Sequence, residues 1–331
     1  MARNVRISRA LVATFVIGGA ATLGITSSGA SGGPGTAAQV SADVASSLAI
    51  STLPSNLSPS LANARNDVAT VGTPALAKCN TVAETLNPAK CVFGDTKGSK
   101  TMVLWGDSHA FMWFPAVNAI AKADHWKLIA LLQYGCPVAD VSVWNPLTKA
   151  PYTSCNFFRK NMIVAINKLN PSLVIVTERF TSQAASGGGA QNTITIAQWK
   201  AGLETTLRSL HSKRMKKLVI GSTVSTGAQG DAYPPLCLAA EVSSIQKCTI
   251  ADDAVQQAQR AAEQSAAKAR SARYINVLPW LCSSATKPAS CSPIVGDAAG
   301  YRVVYYATGH ITETYALWLS KVLGTAIKPS L

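Results

Sequence analysis

The chain has 331 residues, 48% of them hydrophobic, and 30 lysines and arginines against 16 acids give it a net charge of +14. This length and apolar fraction allow a sizeable core and exclude a chain disordered throughout. The basic residues are scattered, with Lys213, Arg214, Lys216 and Lys217 the densest group, and no aromatic residues interleave with them. That argues against a nucleic-acid partner and for attraction to anionic envelope polymers or membrane surfaces.

Residues 1–30 read as a signal peptide: Arg3, Arg6 and Arg9, the apolar run "ALVATFVIGGAATLGIT", then the small residues Ser28-Gly29-Ala30. The apolar run is shorter than the roughly 20 residues of a spanning helix and holds three glycines, which favours cleavage over an uncleaved anchor. In either form the chain is expected to be secreted or extracytoplasmic. Without its first thirty residues it still carries +11. Residues 31–78, rich in Ser, Ala, Gly and Pro, read as a linker with one short helix, outside the core or draped on it. A single domain is expected over 79–331, with no later transmembrane segment.

From Cys79 onward short apolar runs alternate with amphipathic stretches. The runs are "TMVLW" (101–105), "KLIALLQ" (127–133), "SLVIVT" (172–177), "KLVIGS" (217–222) and "RYINVL" (273–278), each with little polar alternation, as in buried parallel strands. Helical patterns fall at 109–123, 153–169, 196–212, 252–272 and 312–323. This alternation predicts an α/β fold, a parallel sheet of about five strands with helices on both faces. Ligands of such sheets bind at the carboxyl ends of the strands.

Eight cysteines fall as four sequence-near pairs, with no Cys-x-x-Cys and only four histidines in the chain. A zinc site is poorly supported, no metal or cofactor is expected, and disulfides outside the cytoplasm are the better reading. Eight cysteines allow 105 connectivities. Loop closure costs least for Cys79–Cys91, Cys136–Cys155, Cys237–Cys248 and Cys282–Cys291.

The first apolar run ends in "LWGDSHA", which puts Ser108 on a strand-to-helix turn. Asp107 or Ser108 can serve there as a helix N-cap. The same geometry can instead present a nucleophile above the sheet edge, with the helix's first amides facing a developing oxyanion. The stretch is not the Gly-x-Ser-x-Gly elbow. Of the histidines, His109 is expected to point away from its neighbour, and His125 and His211 to lie at the surface. His310, in "YYATGHITETYALWLSKVL", precedes a C-terminal amphipathic helix and is either a cap or surface residue or the base for Ser108.

Taken together, "VLWGDSHA", "YGCP" about thirty residues on and "GHITETYALWLSKVL" resemble the SGNH (GDSL-like) hydrolase superfamily. The opening "AKCNTVAETLNPAKCVFGDTKGSKTMVLWGDSHAFMWFPAV" is most similar to the extracytoplasmic SGNH domain found behind acyltransferase-three-type membrane proteins. The resemblance runs from about residue 70 to the end. It implies a three-layer α/β/α, flavodoxin-like SGNH fold and ester chemistry on acyl groups, commonly acetyl groups of cell-envelope carbohydrate. By it, Ser108 is the nucleophile, His310 its general base, and the amides of Ser108 and Gly135 form part of the oxyanion hole. Without the resemblance, Gly135 reads equally as an ordinary turn beside Cys136. A free-standing module of this kind implies a membrane acyltransferase acting in trans.

Two positions depart from the family pattern. Where it places an aspartate three residues before the histidine, this chain has Ala307. In serine proteases the loss of that carboxylate costs about 10⁴ in kcat, or roughly 5.5 kcal/mol of transition-state stabilisation. A backbone carbonyl or Asp297 are the candidates to orient His310 instead. After the third strand the usual oxyanion asparagine is replaced by "VTERFTS", in which Thr177 or Arg179 is a candidate donor and Glu178–Arg179 a structural ion pair. Two loops, "ASGGGAQN" (185–192) and "GAQGDAYPPLC" (227–237), are expected at the cleft mouth. Trp105, Trp113 and Trp144 can stack on sugars, although Trp105 and Trp113 read better as core. The alternative to an esterase or O-acyltransferase, supported by Ala307, is a non-catalytic envelope module binding carbohydrate or a membrane acyltransferase partner.

Overall fold

A computed structural model describes residues 33–79, 86–145, 147–181, 184–185, 193–212, 214–225 and 234–331. The chain divides into units of residues 1–31 and Gly32–Leu331. The signal-sequence reading and most of the two cleft loops lie outside the described residues.

The second unit is built on a six-stranded sheet of β1 (Val92–Gly94), β2 (Lys100–Gly106), β3 (Trp126–Leu132), β4 (Leu173–Thr177), β5 (Lys216–Ile220) and β6 (Arg273–Ile275), in the order β6-β5-β4-β2-β3-β1. The five strands β2 to β6 are parallel and correspond to the five apolar runs. β1 is the addition: it pairs antiparallel with β3 at the edge, and its three half-buried residues carry too little pattern to announce a strand. The parallel strands follow the flavodoxin-like order, and the connection changes direction at β2, with β3 on one side and β4 on the other.

Alternation along the strands sorts side chains to two faces. Met102, Leu104, Leu128, Ala130, Leu173, Ile175 and Leu218 pack with α1 (Ala37–Ser47), α2 (Ser108–Ala123) and the C-terminal helices α6 (Glu313–Trp318) and α7 (Ser320–Ile327). Val103, Trp105, Ile129, Leu131, Val174, Val176 and Val219 pack on the other side, against α3 (Thr153–Leu169), α4 (Ile196–Ser209) and α5 (Ala254–Ala269). The result is three layers, α/β/α.

The segment read as a linker is built into this unit. It carries α1, the short helices Leu61–Ala64 and Ala69–Gly72, and a strand, Leu57–Ser58, that pairs with Gly300–Val303. Val40, Val44, Ala64, Ala69 and Leu76 are buried. Small residues let these helices lie close to the body, and the same composition makes the segment look like a tether. Four disulfides join Cys79–Cys91, Cys136–Cys155, Cys237–Cys248 and Cys282–Cys291. Among the described residues no helix is long and apolar enough to cross a membrane.

Candidate active site

The site sits where β2 gives way to α2, and Gly106 is what makes that turn possible. A Cβ there would lie 1.9 Å from the carbonyl oxygen of Thr177 on β4, so only glycine allows the two strand ends to run this close. Asp107 follows as the N-cap of α2. Its Oδ1 accepts the N–H of His109 and its Oδ2 the N–H of Arg179, both at 2.8 Å, which ties the helix start to the end of β4. Burial pushes the Asp107 carboxyl up to about 7, against the two amides that favour its charged form. Ser108 is the first helical residue, so its amide has no acceptor within the helix.

His310 reaches the same point from the far end of the chain. It follows the turn Thr308-Gly309 of a short antiparallel pair, Tyr305–Ala307 with His310–Ile311, just ahead of α6. Thr223, beyond β5, donates its hydroxyl to the Gly309 carbonyl and holds that turn against the sheet. The imidazole Nε2 lies 2.8 Å from Ser108 Oγ, and Nδ1 lies 2.7 Å from the Thr308 carbonyl oxygen. A carbonyl can only accept, so Nδ1 carries the proton and Nε2 presents a lone pair to the Ser108 hydroxyl. Asp297 is engaged elsewhere, with Trp318 Nε1 and Arg302, so of the two candidates the carbonyl is the one that orients His310.

His125 and His211 are exposed, as expected. His109 differs: instead of pointing away, it is buried with its ring edge-to-face on His310, centroids 5.0 Å apart. Burial, with His310 and Arg179 nearby, holds its pKa well below the ordinary imidazole value, so it is neutral.

Gly135 lies beyond β3 with φ +65°, and a Cβ there would touch the Tyr152 ring edge at 3.9 Å. Its turn is held at both ends. Gln133 donates its N–H to the Gly106 carbonyl, and Tyr134 stacks on Phe111 in the first turn of α2, centroids 4.2 Å apart. Cys136 is linked to Cys155 on α3.

Around "VTERFTS" the expected ion pair does not form. Alternation continues past β4 and sends Glu178 and Arg179 to opposite sides. Glu178 is buried and accepts the N–H of Ala139, while the Arg179 guanidinium donates to Ser225 Oγ. Burial, with Glu263 and Asp107 nearby, pushes Glu178 up to about 8. The Arg179 backbone amide is committed to Asp107, so an oxyanion contact from this residue has to come from its side chain. Thr177 Oγ1 is buried without a partner among the described residues. Trp105 and Trp113 are core, and Trp144 is half-buried in a small hairpin. Among the described residues no group of three His, Cys, Asp or Glu side chains is placed to hold a metal ion.

The family model described as SGNH domain (fused to AT3 domains) matches residues 78–324. The chain belongs to this SGNH family. Among solved structures, the periplasmic domain of the Salmonella ser. Paratyphi A lipopolysaccharide acetyltransferase shares the fold of this SGNH domain at a TM-score of 0.55 and 13% identity, over 78% of this chain and 97% of that one. Two further matches are TesA (TM-score 0.35, 13% identity, 70% and 100% covered) and a GDSL-like lipase from Parabacteroides merdae (TM-score 0.36, 9% identity, 69% and 97% covered). No curated protein matches this chain by sequence. Membership and fold support an acyl-modifying or esterase-like function.

Proposed function

We propose that this chain is an extracytoplasmic serine esterase or O-acyltransferase acting on acyl groups, acetyl foremost, of cell-envelope carbohydrate. The observation that carries the reading is the Ser108–His310 contact, with the far ring nitrogen on the Thr308 carbonyl. Ser108 Oγ attacks the acyl carbonyl carbon while its proton passes to His310 Nε2. The oxyanion so formed is met by the Ser108 and Gly135 amides. Collapse breaks the bond to the sugar oxygen, which takes the proton from His310 and leaves an acyl-serine. Water, or a second sugar hydroxyl, then gives its proton to His310, attacks the acyl carbon and frees Ser108.

The family's fusion to AT3 domains and the likeness to a lipopolysaccharide acetyltransferase periplasmic domain support acyl transfer beside a membrane acyltransferase. Ala307 favours the second reading, a binding module that uses the same cleft without chemistry. One experiment separates the two. A fluorophosphonate should label Ser108, and Ser108→Ala and His310→Ala should each remove at least 99% of acetyl-ester hydrolysis. No labelling, together with hydrolysis unchanged in Ser108→Ala, rejects the enzyme.

A further inference from the structure

A cavity of about 270 Å³ opens beside His109 and Gly309, the sequence neighbours of Ser108 and His310. Gly309 of the histidine turn, Arg179 and Phe180 beyond β4, Ser225 beyond β5, and Val255 and Gln259 at the start of α5 all line it. It is smaller than the roughly 300–1,000 Å³ clefts that enclose drug-sized ligands, so it suits one small unit of a larger substrate.

The half-buried Arg179 gives the cavity its character. Its guanidinium has five N–H donors, yet the bond it makes is to the neutral Ser225 Oγ at 3.3 Å. Among the described residues no carboxylate lies within ion-pair distance of it, and the buried Asp107 acts on its charge only from beyond that distance. A partly desolvated cation of this kind is stabilised by an anion, and its fork fits a carboxylate through two parallel hydrogen bonds. The N-terminal end of the 16-residue helix α5 adds positive potential. Asp253, its cap, also lines the cavity, with Oδ1 accepting the Gln256 N–H, and its charge opposes an anion there, a dianion such as phosphate more than a single carboxylate. The remaining wall is mixed. Phe180 and the 60% exposed Val255 offer an apolar surface, and the side-chain amide of Gln259 makes no hydrogen bond among the described residues.

We propose that this cavity is a subsite for a uronic-acid-type sugar of the acylated polymer. The sugar carboxylate pairs with Arg179, a hydroxyl bonds Gln259, and the ring's C–H face lies on Phe180 and Val255. The inference rests on the ester chemistry assigned above and narrows its substrate to acidic saccharides, in keeping with the basic charge of the chain.

The test is protection of Ser108 from fluorophosphonate labelling by free glucuronate, with glucose as the neutral control. Glucuronate is expected to slow labelling at least threefold at a concentration where glucose has no effect. Arg179→Gln should abolish the difference between the two sugars, and Gln259→Ala, a substitution at a half-exposed position, should weaken it. Equal protection by both sugars, by neither, or glucuronate protection that survives Arg179→Gln overturns the subsite while leaving Ser108 a nucleophile. A chain that does not label at all overturns the ester chemistry instead. Calorimetric titration of the same protein with glucuronate then decides the subsite on its own, with Arg179-dependent binding upholding it and no binding rejecting it.

Discussion

His310 donates its Nδ1–H to the carbonyl of Thr308, two residues back in its own turn, at 2.7 Å. In the proposed ester chemistry, the task that an aspartate performs in most Ser–His sites would therefore fall to a neutral backbone acceptor, which fixes the tautomer but would add no negative charge beside a developing imidazolium.

This contact sets the outcome of restoring the family's aspartate. Residue 307 pairs with His310 across the short antiparallel ladder, and the nitrogen such a carboxylate would seek is already bonded. Ala307→Asp is expected to change kcat for a model acetyl ester by no more than about twofold. A gain of tenfold or more would mean that the carbonyl is displaced and that the ring was poorly oriented before.

Gly106 is a second point of control, at the backbone. A methyl there meets the Thr177 carbonyl oxygen at 1.9 Å, and both partners are strand backbone with no room to yield. Gly106→Ala should cost about 1–3 kcal/mol, the range for overpacking. It should also lower kcat far more than KM, because the displaced turn carries Ser108. Denaturant melts alongside acetyl-ester kinetics check both expectations, and wild-type stability in the variant would remove the argument.

The Cys136–Cys155 link closes a loop of sequence separation 19 and holds the turn next to Gly135 against α3. Cys136→Ala with Cys155→Ala should lose about 3 kcal/mol of unfolding free energy, the chain-entropy value for a loop of this size. If the Gly135 amide contributes to the oxyanion hole, kcat should fall in the same variant under conditions where it remains folded. Full kcat in the folded double variant would take Gly135 out of that role.

Much of this was legible in the sequence, for a physical reason. Buried parallel strands are apolar on both faces, so β2 to β6 stand out as uninterrupted runs, and α2 to α5 fill the intervals between them. The edge strand β1 has neither the length nor the burial to do so. Residues 37–79 bury Val40, Val44 and Leu76 within a composition that elsewhere marks a tether. At the site, it was the family resemblance and not spacing that joined Ser108 with His310. The Thr308 carbonyl has no sequence signature, because every residue has one. The separation of Glu178 from Arg179 was available from strand alternation, had the strand been extended two residues past Thr177.

The buried acids behind the site give the fold a pH dependence of definite sign. Folding raises Asp107 to about 7 and Glu178 to about 8, mainly by burial, and Glu263 is raised as well. Glu178 faces Asp107 and Glu263, which raise it further, and Arg159, which opposes them. A carboxyl whose pKa rises on folding is better accommodated neutral. Its contribution to stability is therefore complete below the ordinary carboxylate range near pH 4 and is lost as pH rises through 7 to 8. Tm should accordingly fall between pH 5 and pH 8.5. Glu178→Gln keeps an oxygen for the Ala139 N–H and cannot ionise, so it should flatten that fall even if it lowers Tm at pH 5. A series of thermal melts across this range, at constant ionic strength, checks the claim. A Tm that rises toward pH 8.5, or an equal slope in Glu178→Gln, would show that these carboxyls stay charged in the folded protein.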